Sequence, residues 1–82
     1  MKGFYAAASL LPKSIRLCAE KIGESEKIAA VEFRLRRGLP ATIMTGDVER
    51  IIHNIPVTRQ DLEWVLELVQ ALVMQLLIQQ KC

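Results

Sequence analysis

The side chains able to do chemistry in this chain are few and far apart. The single histidine, His53, has no neighbouring cysteine and no evident acidic partner, so it satisfies neither a metal-ligand spacing nor a nucleophile and base pairing. A partly exposed strand position is the expectation. Cys18 falls inside a helical apolar pattern and Cys82 is the last residue, which is neither a ligand set nor a disulfide framework. Two free thiols in a reducing compartment are expected, with Cys18 in the core although Arg16 and Lys21 lie nearby. Glu63 and Glu67 stand four apart, the spacing of a solvated helix face. Using them as a glycosidase pair would need a cleft. No G-x-x-x-x-G-K-[ST] loop and no other Gly-rich turn joins a strand to a helix, which argues against nucleotide hydrolysis by this chain. The expectation is a protein that is not an enzyme, with no catalytic residue, cofactor or metal ligand.

One charged cluster remains, Arg34-Leu35-Arg36-Arg37. In a strand Arg34 and Arg36 share a face, so both guanidinium groups could engage a phosphate or a carboxylate bidentately. The plainer reading is a solvent face salt-bridged to Glu32 or Glu49. Eleven basic and nine acidic residues leave a net charge of +2, too near balance to be an electrostatic footprint for nucleic acid, and no aromatic residues interleave with the arginines. An acidic surface on a protein partner suits the cluster better than a nucleic acid.

The elements that carry these residues follow from hydrophobic period and punctuation. Between Ser9 and Gly23, Leu11, Ile15, Cys18 and Ile22 recur at helical intervals, with Leu17 widening the face, Pro12 in the first turn and Ser9 as a cap. The preceding apolar run to Leu11 is too short for a secretory signal, and a cytoplasmic chain is expected. Glu24-Ser25-Glu26-Lys27 reads as a solvated connector. From Ile28 the period becomes two, with Val31, Phe33 and Leu35 on one side and Glu32, Arg34 and Arg36 on the other. Gly38 and Pro40 end that strand. Ala41 to Thr45 forms a second, with Ile43 and Met44 as core candidates, and Gly46-Asp47 turns the chain into a third from Val48 to Asn54, supplied by Ile51 and Ile52.

Pro56-Val57-Thr58-Arg59-Gln60-Asp61 announces a long helix. Thr58 can accept from the Asp61 N–H while the Asp61 carboxylate reaches back, and Val57 can staple onto Leu62. This helix continues without Gly or Pro to about Gln80. Its first half is amphipathic, with Leu62, Val65, Leu66 and Val69 opposite Glu63, Glu67 and Gln70; from Leu68 to Ile78 only Gln70 and Gln75 are polar. The stretch is short for a membrane span and carries two glutamates, so no span is expected. A helix apolar nearly all round must instead be covered by protein, and Leu68, Leu72, Val73, Leu76 and Leu77 are the candidate interface.

The segments Val31-Glu32-Phe33-Arg34-Leu35-Arg36-Arg37-Gly38-Leu39-Pro40, Val57-Thr58 and Asp61-Leu62-Glu63-Trp64-Val65-Leu66 resemble the N-terminal region of stage III sporulation protein AA, with its E-x-R-L-R-x-G-x-P strand and turn and its V-T-x-x-D-L helix start. Leu11-Pro12-Lys13-Ser14-Ile15-Arg16 is similar to the family's L-P-x-x-I-R helix. The likeness covers most of residues 10 to 68; beyond Val69 the chain departs from the family's second helix. In that family, akin to secretion and pilus-retraction ATPases, a small N-terminal domain precedes a P-loop ATPase domain and helps form a ring. The resemblance implies an assembly or adaptor domain that contacts a neighbouring subunit or an ATPase domain.

Residues 1–82 are therefore expected to form one α+β domain of order α-β-β-β-α, a small mainly antiparallel three-stranded sheet packed against two helices, the last of them long. The expected function is protein–protein assembly, by self-association or by docking to an ATPase domain or subunit, through the apolar C-terminal helix. Phosphate or nucleic-acid binding through Arg34, Arg36 and Arg37 is the alternative.

Overall fold

The computed structural model describes residues 2–81, and side chains over 3–74. The chain is a mixed α+β fold, with three short helices α1 (Lys2–Ala8), α2 (Lys13–Glu20) and α3 (Glu24–Ala29) before strands β1 (Ala30–Arg34), β2 (Pro40–Thr45) and β3 (Val48–Pro56), and a long closing helix α4 (Arg59–Lys81). The strands pair antiparallel in the order β1-β2-β3, so the α-β-β-β-α order and the antiparallel sheet expected from the sequence are present.

The region anticipated as one helix from Ser9 to Gly23 is shorter and has a partner helix before it. The Ser9 hydroxyl donates to the Ala6 carbonyl at 2.6 Å, so Ser9 finishes α1 rather than capping α2. Pro12 occupies the N-cap of α2 and makes no side-chain capping bond. Leu11, Ile15, Ala19 and Ile22 then form the buried stripe at intervals of four, four and three. Cys18, expected in the core, is only half-buried, and Leu17 is exposed, because both lie off that stripe.

The segment read as a solvated connector is helix α3. Glu24 and Glu26 occupy its first turn, where the helix dipole favours them, and Lys27 is buried in its last. The Lys27 ammonium donates to the Tyr5 hydroxyl at 3.1 Å and lies 5.6 and 5.1 Å from the ring centroids of Phe4 and Tyr5. The hydrogen bond from Lys27 to Tyr5 raises the lysine above its ordinary value, against burial and with help from Glu24. A polar sequence thus folds back because two aromatic residues of α1 receive its lysine.

In β1 the register slips between Ala30 and Glu32. This bulge removes Val31 from the expected inner row: it is 68% exposed, while Phe33 and Leu35 pack against the core. Phe33 aligns with Ile43 on β2, and Ile43 is fully buried. Met44, the other core candidate, is only half-buried because consecutive strand residues face opposite sides. The same alternation separates exposed Ile51 from half-buried Ile52 on β3, which runs two residues past the expected Asn54.

Both turns use a glycine at positive φ. Gly46, at 62°, is the first central residue of the β2–β3 hairpin and the only one of its pair with positive φ, the pattern of a type II′ turn. Gly38, at 82°, closes the turn in which the Leu39 N–H donates to the Arg36 carbonyl at 3.0 Å. That turn is tied to the entrance of α4, since Gly38 N–H donates to the Val57 carbonyl and Val57 N–H to the Leu39 carbonyl, both at 2.8 Å. The capping box is formed as expected: Asp61 N–H donates to the Thr58 hydroxyl at 3.1 Å, and Thr58 N–H to the Asp61 carboxylate at 2.9 Å. Val57 is buried and Leu62 packs against the same core.

Candidate functional site

Of the arginine cluster only Arg34 lies in the sheet, on its open face; β1 ends there, so Arg36 does not share a strand face with it as expected, and Arg36 and Arg37 follow in the connection to β2. Register places Arg34 opposite Thr42, and Thr42 opposite Ile51, on the side away from Ile43. Glu49 of β3 lies among these residues and gathers them. Its carboxylate accepts from the Thr42 hydroxyl at 2.7 Å, pairs with Arg36, and lies 3.6 Å from the Arg34 guanidinium. Arg34 also donates to Glu32 at 3.1 Å. The Thr42 hydrogen bond, with Arg36 and Arg34 nearby, holds the Glu49 carboxyl below the ordinary carboxylate range despite partial burial. Two of the three arginines therefore already face carboxylates. Arg37 makes no ion pair among the described residues, and its backbone bridges to Val57 at the turn. On the other side of the sheet, Arg50 pairs with Glu26 and fastens β3 to α3.

The other candidates remain apart. His53 is half-buried opposite Ala41, and its Nδ1 is buried without a hydrogen-bond partner among the described residues. Glu63 and Glu67 are both exposed, and Glu63 accepts from Arg59 at 2.8 Å, as befits a solvated face. Among the described residues no three His, Cys, Asp or Glu side chains are grouped to hold a metal ion. Cys82 lies outside the described residues.

An extended apolar feature lies along α4. Among the described side chains the first turns meet the body of the fold, where Leu62 packs against the core and Val65 is half-buried. Beside this stretch runs an open groove of about 570 Å³, walled by Leu62, Val65, Leu66 and Val69 on one side and by residues such as Leu11, Phe33 and Leu35 on the other. Beyond it the helix leaves the body: Leu72 is 44% exposed, Val73 49% and Met74 58%. Of the interface residues chosen from sequence, Leu68 is half-buried and Leu72 and Val73 are exposed, while the side chains of Leu76 and Leu77 lie outside the described residues. No helix among the described residues is long and apolar enough to cross a membrane.

Sequence reasoning missed the far wall of the groove. Phe33 and Leu35 are visible as strand residues, but their approach to α4 is a matter of tertiary placement. The helix α1 that adds Ala7 to this wall carries a detectable signal in its alanine-rich run Ala6-Ala7-Ala8.

Fold and surface together define a mixed α+β fold with a buried core and, among the described residues, a closing helix whose side chains stand exposed beyond Val69. No protein-family model, curated protein or solved structure matches the chain.

Proposed function

We propose that this chain is a non-catalytic assembly domain that joins protein subunits through α4. One observation carries the reading: Leu66, Val69, Leu72, Val73 and Met74 are exposed on a single helix that also borders an apolar groove. Contiguous apolar surface of this kind is rare on monomers and marks interfaces. The resemblance of residues 10 to 68 to the N-terminal region of stage III sporulation protein AA supports the same reading. It suggests a cytoplasmic sporulation setting, in which the subunit joined is a second copy or an ATPase domain.

The arginine cluster weighs against the alternative of phosphate or nucleic-acid recognition. Binding an anion at Arg34 and Arg36 would require displacing Glu49 and Glu32, whose charges repel it. Binding to nucleic acid that weakens steeply with added salt would restore that alternative.

Light scattering tests the assembly reading. At high micromolar concentration the protein should show a mass above that of one chain, and Leu72→Glu combined with Val73→Glu should return it to monomer with unchanged circular dichroism. A wild-type chain that stays strictly monomeric there defeats self-association.

A further inference from the structure

On the face of α4 that borders the groove, apolar residues fall at 62, 65, 66, 69, 72 and 73, and the sequence extends the series to Leu76; the exposed Trp64 and Met74 lie off that face by helical spacing. This series reads the same in both directions about Val69. We infer that α4 pairs antiparallel with α4 of a second copy, about a two-fold axis passing at Val69; the inference rests on the assembly reading and specifies its partner and geometry.

Under that axis every seam residue meets an apolar residue of the other copy. Leu62 stands opposite Leu76, Val65 opposite Val73, Leu66 opposite Leu72, and Val69 opposite itself. Such an interface is isologous, the same patch on both chains, which is the commonest symmetry of soluble oligomers. Steps of three and four are those by which one helix packs along another, so the seam calls for a helical occupant.

Charge agrees with this direction. The acidic residues of the helix, Asp61, Glu63 and Glu67, all lie in its first half, Glu63 and Glu67 on the side away from the seam. A parallel pair would set the two acidic halves side by side, whereas an antiparallel pair sets each beside a half with no acidic residue.

Area explains why the groove belongs to the same interface. From 62 to 76 the helix is about 21 Å long. A strip of that length and roughly 10 Å wide is small beside the ~800 Å² per partner of a stable complex. Antiparallel pairing brings the tail of each helix over the groove beside Leu62 to Val69 of the other, so the half-buried Phe33 and Leu35 are covered as well.

Single-cysteine cross-linking in a chain with Cys18→Ser and Cys82→Ser tests the geometry. With oxidised glutathione, Val69→Cys should give a disulfide-linked dimer, and so should Leu66→Cys combined with Leu72→Cys. Leu62→Cys should give no disulfide-linked dimer, and at most a mixed disulfide with glutathione, because its two copies would lie about 21 Å apart along the pair, beyond disulfide reach. If Leu62→Cys cross-links as readily as Val69→Cys, or if neither does in a sample that scatters as a dimer, antiparallel pairing is overturned while assembly through α4 stands. A sample that scatters as a monomer overturns both.

Discussion

The body of the fold and its closing helix draw on the same kinds of side chain and treat them in opposite ways. In the body Ile15, Ile43 and Val57 are closed off almost completely by three layers of chain: α2, the sheet, and the turn that leads into α4. On α4, leucines and valines of equal hydrophobicity stay near half exposure once the helix passes Val69. What differs is the presence of a second surface at the right distance. Burial is a property of pairs of elements, and the long helix has outrun its partner.

The largest effect expected from this contrast is in the body. Ile43→Ala should cost about 2–5 kcal/mol in urea unfolding, because a fully buried isoleucine leaves a cavity as well as lost transfer energy. A loss below about 1 kcal/mol would mean that the core is far less closed than its burial implies. Next comes the joint between the two regions. Thr58→Ala removes the hydroxyl that caps α4 and should cost about 1 kcal/mol, with the helical circular dichroism signal lost earliest in the unfolding curve.

A smaller effect depends on pH. Because the Glu49 carboxyl is held below its ordinary value of 4.5, its contribution is complete above that pH and disappears as pH falls through the lower folded value. Glu49→Gln should therefore flatten the acid side of a plot of urea midpoint against pH. An unchanged acid limb would remove Glu49 from the account of the sheet face. At the smallest end, Leu72→Ala should change the unfolding of dilute monomer by less than about 0.5 kcal/mol, since the side chain has little to leave behind. At concentrations where chains associate, the same change should lower the apparent stability, and the difference between dilutions measures what α4 contributes to assembly.

Much of the fold is legible in the residues alone. The capping box at Thr58 and Asp61, the Gly46 hairpin and the alternation through Phe33 and Leu35 are local signals, each set by residues within a few positions of one another. What escapes such reading is non-local. Lys27 and its neighbours look solvated until Phe4 and Tyr5 are placed beside them, and Val31 follows the alternating pattern until a bulge turns it out. The arginine cluster reads more plainly as a solvent face salt-bridged to Glu32 or Glu49 than as an anion site, and both ion-pair partners are found; that Glu49 serves Arg34 and Arg36 together follows from its reach across the register of β2 and β3.

The sequence by itself determined the order of the strands, the start of α4 and the concentration of apolar residues in its second half, because helical and strand periods, caps and turn glycines act over short distances. Tertiary structure alone decided which of those apolar residues are covered. Ile43 and Leu72 are equally apolar on paper, but the sheet brings α2 over the first, and nothing among the described residues closes over the second.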